Sequence, residues 1–383
     1  MSKHNKKNSL KYNLIRPISN EKWQPITIPL AAIIISFVAA AIVILLIGKN
    51  PFQAFYSLLQ GAGIMPKPSY AGYKSMLTDF LSLLNAMTPL VFASLAVTVA
   101  YRAGLFNIGV AGQMLVSGFL ATIIVGYSGL DAYIAKPLVL VIGIIAGGLM
   151  GGLVGWLKYK FNINEVVSTI MLNYIAQYVI SFFIQMYYID PVSRQSQYIS
   201  DASRLTLVNV EMGNLKMDIP LGFILAILTA ILIKFVMDKT VVGFELKAVG
   251  SNRKAAKYAG INVGKNTILA MVISGGLAGL AGVTYYLGYY ASIQPKVLSD
   301  IGFDSIAVSL LGNSHPIGVI FSSFLVSIID QGSTYMSSQA GIRQEISSVI
   351  VGLILLFSAC GVYMKYKVSR IKEKEADRKE SKA

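Results

Sequence analysis

Charge is what this chain has least of. Only 13% of its 383 residues are Asp, Glu, Lys or Arg, while 55% are hydrophobic and the mean hydropathy is +0.62. A water-facing domain carries about twice that charge fraction. Such a chain cannot hide its apolar residues in one solvated core, so it is an integral membrane protein. Cysteine is nearly absent: Cys360 alone allows neither a disulfide framework nor a thiolate metal site. The two histidines, His4 and His315, lie in different regions, and no His, Cys or carboxylate cluster falls at catalytic spacing, which argues against a membrane-embedded enzyme. No Walker A string occurs. The nearest, GINVGK from Gly260, has three residues between its glycines, and Asn266 stands where Ser or Thr is needed. The chain is therefore not expected to hydrolyse ATP, and it offers no residues for a bound cofactor or metal.

What charge there is sits in three places. Residues 1–24 carry +5, Lys234 to Asn266 carry +5 and residues 364–383 carry +4, out of a net +15. That distribution is a topology signal rather than a nucleic-acid surface. Ile28 to Gly48 is too long for a secretory apolar region and reads as an uncleaved first span. Further spans follow at Leu77 to Tyr101, Gly109 to Tyr127, Pro137 to Leu157, Val166 to Tyr188, Pro220 to Met237 and Thr267 to Tyr290. Residues 189–219 form a polar loop with no clear periodicity. Beyond Tyr290 two short apolar pieces, Phe303 to Leu311 and Ile317 to Ile329, flank GNSHP, as two short tilted spans or one re-entrant pair. Ile346 to Tyr363 is the last span. The expectation is an all-α membrane protein of about ten helices, some broken or re-entrant, with a basic tail over 1–24, a membrane domain over 25–363 and a charged tail over 364–383. With ten spans and both termini cytoplasmic, the inner segments hold 24 Lys and Arg against 9 outside. On that count 238–266 is cytoplasmic and 189–219 extracellular.

Thr240 to Asn266 is more than a spacer. Ser251 is a good N-cap and Gly260 sits where a C-cap glycine belongs, which predicts a short helix over Asn252 to Ala259. A solvated basic loop is the plain alternative. Within the membrane, Tyr101 to Gly118 brings Asn107 and Gln113 into a glycine-broken apolar stretch, either for close helix packing or because backbone lines a cavity. Asn164 predicts a cap for the fifth span, with Glu165 in its first turn. Asn173 and Gln177 share a helix face with Ser181, and Tyr174 and Tyr178 form the adjacent stripe. Such a surface suits a sugar hydroxyl or a base plane, and equally suits interhelical hydrogen bonding. Gly147, Gly151 and Gly155 on one span and Gly275 and Gly279 on another are packing ladders. Thr284 to Tyr290 reads first as an aromatic belt at the outer interface and second as a mouth for substrate. Asp304 is either a helix-start charge or a path residue.

The blocks GFELKAVGSNRKAAKYAGI (Gly243 to Ile261), RAGLFNIGVAGQ (from Arg102) and NEVVSTIMLNYIA (from Asn164) resemble permeases of the branched-chain amino acid, ribose and nucleoside family of ABC importers. The likeness covers about Leu77 to Phe357. It implies a type II ABC-importer-like permease fold, with Gly250, Asn252, Ala255, Ala256, Ala259 and Gly260 in a helix that docks on the ATP-hydrolysing subunit. It also implies a translocation path that takes in Asn107, Gln113, Asn173, Tyr174, Gln177 and Tyr178. ATP would be used by that partner. A second, homologous permease and an extracytoplasmic substrate-binding lipoprotein complete the assembly, in a bacterial cell membrane. The NEVVSTIMLNY block and the long N-terminal extension are features of the nucleoside branch and of the longer of two paired permeases; simple-sugar import is the alternative. Many relatives carry an acid just before the Gly-Gln pair, where this chain has Ala111. An ion-coupled secondary transporter is the competing class, but it needs buried ionisable groups. Asp79, Glu165, Asp304, Asp330 and Glu345 all read as lying near segment ends.

Overall fold

A computed structural model describes residues 24–360 and, beyond them, 363, 366 and 370. The two terminal tails and the end of the last expected span therefore lie almost wholly outside the described residues. The helices are α1 (Gln24–Leu46), α2 (Pro51–Gly61), α3 (Met76–Arg102), α4 (Val110–Ala121), α5 (Ala132–Phe161), α6 (Glu165–Phe183), α7 (Leu221–Lys239), α8 (Val241–Ser251), α9 (Arg253–Tyr258), α10 (Val263–Thr284), α11 (Ile301–Leu311), α12 (Pro316–Ala340) and α13 (Glu345–Ala359). Among the described residues seven helices are long and apolar enough to cross a membrane, and three shorter apolar ones, Val110–Gly126, Ile301–Leu311 and Glu345–Ser358, make up ten. π-helical turns extend α4, α6 and α10 over Thr122–Gly126, Ile184–Tyr188 and Tyr285–Tyr290.

The centre of the bundle is α3 and α10. Every residue of α3 from Met87 to Ala100 is buried, and so is every residue of α10 from Ser274 to Thr284. Large apolar side chains of α1, α5, α6 and α7 face outward instead, among them Leu46, Leu149, Met171 and Leu228. An apolar outer surface around a close-packed interior is what lipid as solvent demands. The two glycine ladders meet each other. A Cβ on Gly147 would lie 2.2 Å from the Gly275 carbonyl oxygen, and one on Gly151 would lie 2.2 Å from that of Met271. α5 and α10 thus run backbone against backbone.

Three expectations need correction. Residues 189–219 are not irregular throughout: Thr206–Met212 (β1) and Leu215–Pro220 (β2) pair antiparallel around Gly213, which holds φ +64°. Gly supplies a positive φ at a tight turn without steric cost. The short cytoplasmic helix is capped by Asn252 rather than Ser251: the Asn252 Oδ1 accepts from the amides of Lys254 and Ala255 at 3.0 and 3.1 Å, and Ser251 is the last residue of α8. The helix then runs Arg253–Tyr258, and Gly260 at φ +81° turns the chain away, as a C-cap glycine does. Lastly, Ile317 to Ile329 is only the first half of α12. At about 1.5 Å per residue its 25 residues cover about 37 Å, enough to cross, so α11 and α12 are not a pair of equal short pieces. Asp330 consequently lies inside a helix, not at its end.

Candidate functional site

The Asn107 and Gln113 side chains are 1% exposed and bonded to each other. Asn107 Nδ2 donates to Gln113 Oε1 and to Ser274 Oγ, each at 2.9 Å, while Gln113 Nε2 donates back to Asn107 Oδ1 at 3.3 Å. The Ser274 hydroxyl in turn donates to the Ala96 carbonyl at 2.7 Å. This closed network ties α4 to α10 and α3. Asn173 is equally occupied: Gly112 N–H donates to its Oδ1 at 2.9 Å and its Nδ2 donates to the Ile108 carbonyl at 3.0 Å. Each bond satisfies a polar group that would otherwise be costly in an apolar interior. Asn164 caps α6 as expected, accepting from the Val166 amide at 2.9 Å, and Glu165 pairs with Lys158 of α5.

The six expected path residues therefore do not form one surface. Asn107, Gln113 and Asn173 are internal fasteners. Gln177 Nε2 donates to the Lys296 carbonyl at 2.6 Å, and Lys296 N–H donates to Ser181 Oγ at 2.7 Å, so Gln177 and Ser181 fix the loop after α10. Tyr174 and Tyr178, 52% and 62% exposed, point out of the bundle. One step along a helix is a turn of about 100°, enough to separate that stripe from its inward-facing neighbours.

A cavity of about 650 Å³ opens elsewhere, between α3, α10 with its π turn, α11, α12 and α13. Tyr285, Tyr289 and Tyr290 line one side, so Thr284 to Tyr290 is no simple lipid-facing belt. Asp304 is in the first turn of α11, where a helix-start charge belongs, and it lines the cavity too. Asp300 and Asp330 complete a set of three carboxylates. None of the six expected path residues lines this cavity. A polar run after Ile329, DQGST, was the sequence signal for its α12 wall. Ala111 abuts Gly302 closely: a Cβ on Gly302 would lie 2.7 Å from that of Ala111.

At the opposite end of the bundle α8 and α9 fold over the end of α3. Gly250 is half-buried and its inner side is filled: a Cβ there would lie 2.2 Å from the Arg102 carbonyl oxygen, and Gly104, at φ +68°, packs against it. Arg102 Nε donates at 2.8 Å to the carbonyl of Ser314, in the turn between α11 and α12. Ala256 is 3% exposed and anchors α9 inward, whereas Ala255 and Ala259 are exposed and line an open, mostly apolar groove with Phe244, Ala248 and Ile261. Tyr258 stands 94% exposed beside it.

With fold and site in view, comparison with known proteins defines the class. The family model described as branched-chain amino acid transport system / permease component matches residues 80–359, and the chain belongs to that family. It is 35% identical to the guanosine ABC transporter permease protein NupP of Bacillus subtilis, over 91% of this chain and 97% of that one. It is 34% identical to the nucleoside ABC transporter permease protein NupB of Lactococcus lactis, over 94% and 98%. A glucose ABC transporter permease protein of Haloferax volcanii, TsgB13, is 25% identical over 90% and 89%. The family and the apolar helices make this a multi-pass membrane permease component.

Proposed function

We propose that the chain is the membrane-spanning permease subunit of an ATP-driven importer of nucleosides. The observation that carries this is the end-to-end identity of about a third with two permeases named for guanosine and nucleoside transport. Sugar import rests on a relative of clearly lower identity and ranks second. A deletion strain should lose most uptake of radiolabelled purine or pyrimidine nucleosides at limiting concentration. Undiminished nucleoside uptake, or loss of ribose or glucose uptake instead, would reverse the assignment.

In this reading a separate ATPase subunit binds the groove of α8 and α9. Small Ala255 and Ala259 admit a partner, while exposed Tyr258 and Phe244 supply the aromatic anchors that interfaces favour. A second permease of the same family pairs with this one. NupC and NupQ, permeases from the same two bacteria as NupB and NupP, are each 27% identical to this chain over shorter stretches. An extracytoplasmic binding lipoprotein delivers substrate to the end that carries β1 and β2. Both termini and α8–α9 are cytoplasmic in the cell membrane, from the Lys and Arg asymmetry. In a Cys360→Ser background, Arg253→Cys should resist an impermeant thiol reagent on intact cells while Asp201→Cys reacts. The reverse pattern would invert the topology.

A further inference from the structure

We infer that the cavity between α10, α11, α12 and α13 is the binding site for the transported nucleoside inside this subunit, and that its charge rejects phosphorylated substrate; the inference rests on the nucleoside reading above. Its size falls in the range of about 300–1,000 Å³ typical of small-molecule sites. Its walls differ in chemistry. On one side three tyrosines are packed together: the Tyr285 and Tyr289 rings are 6.4 Å apart and 23° from parallel, and Tyr290 meets Tyr289 edge-on at 4.8 Å. Flat aromatic faces of this kind take the plane of a heterocyclic base. On the others stand the carboxylates of Asp300, Asp304 and Asp330 and the amides of Gln331 and Gln344. Among the described residues no ion pair or hydrogen bond engages any of the three carboxylate groups. They are free to accept from the N–H groups of a base and from ribose hydroxyls, and the amides can both donate and accept.

No lysine, arginine or histidine lines the cavity. A phosphate there would meet three like-signed groups and no cation, in surroundings that screen poorly. A neutral nucleoside brings no charge for the carboxylates to repel, and it carries donors that they can accept. The loop that ends in Asp300 passes through Lys296, which Gln177 and Ser181 hold in place, so the polar face of α6 serves this site indirectly.

Two measurements on cells and membranes carrying the assembled importer test this. Asp304→Asn with Asp330→Asn should lower uptake of labelled guanosine at least tenfold, at equal membrane abundance and equal recovery of the ATPase. With Thr334→Cys, which also lines the cavity, and Cys360→Ser, alkylation of the new thiol should slow at least fivefold with guanosine present and stay unchanged with guanosine monophosphate. Parental uptake in the double Asn variant or no protection by guanosine overturns the site, and equal protection by the monophosphate overturns its rejection of phosphate; each leaves nucleoside import standing. Absence of guanosine and other nucleoside uptake in the unmodified importer overturns the nucleoside reading and the site with it.

Discussion

Replacing Gly147 by alanine, a single methyl group, is expected to cost the protein most of its folded population in the membrane. The added carbon would lie 2.2 Å from the Gly275 carbonyl oxygen and 2.7 Å from the Gly279 Cα, and both are backbone. No flexible side chain can swing away, so α5 and α10 must separate along the ladder. Overpacking of an interior typically costs about 1–3 kcal/mol, and a rigid backbone obstacle sits at or above the top of that range. Helix association in lipid has little hydrophobic drive to set against it and depends on this close packing. Gly148, one residue along, is the control: its Cβ would meet nothing closer than 3.5 Å. Gly148→Ala should reach parental abundance and parental thermal aggregation temperature in detergent, whereas Gly147→Ala should be depleted and melt lower. Equal behaviour of the two would mean that the ladders do not hold α5 to α10.

The second large effect falls on energy coupling. Ala255→Arg or Ala259→Arg puts a long cation into the groove where the ATPase is proposed to sit. An unpaired charge buried at an interface costs several kcal/mol; about 3 kcal/mol is already on the order of a hundredfold in affinity. Both residues are exposed in the isolated subunit, so the variants should insert and fold as the parent does. The expected result is loss of ATPase co-purification and of transport at matched membrane abundance. Gly260→Val should reach the same end by another route, because φ +81° is strained for a β-branched residue and the end of α9 would be re-routed. Parental transport and full ATPase recovery in both Arg variants would leave α8–α9 as a solvated connector.

Most of the membrane plan was legible because apolar runs of sufficient length have few alternatives to helix. The glycine spacings were legible for the same reason: a ladder at four-residue intervals has one geometric use. The misses have specific physical origins. Ser251 and Asn252 are both good caps, and only the extended backbone of Asn252, at ψ 106°, tells which one begins the helix. The β-hairpin was hidden because an irregularity between Leu207 and Val210, with Asn209 at φ 53°, breaks the alternation that marks a strand. Asp330 looked terminal because hydropathy falls after Ile329, yet the helix continues, with Asp330, Gln331 and Thr334 turned to the cavity. Asn107, Gln113 and Asn173 were recognisably special, but a membrane amide that fastens helices and one that touches cargo are the same residue in a sequence. Their hydrogen bonds join helices in this structure, the packing alternative the sequence had left open.

The meeting of Gly104 and Gly250 has a mechanical consequence. With no side chain on either residue, the two backbones are already at contact distance, and repulsion between atoms at contact rises steeply with any further approach. The joint is therefore stiff in compression: an inward push on α8 moves the end of α3 by nearly the same distance. The hydrogen bond across the joint is long, the Arg253 guanidinium reaching the Gly104 carbonyl at 3.5 Å, and α8 is otherwise held by its buried Leu246 and Val249. The firmer link is the Arg102 bond to Ser314, which couples the end of α3 to the turn joining α11 and α12. In the coupling proposed above, an inward push at the groove would thus reach that turn through the end of α3.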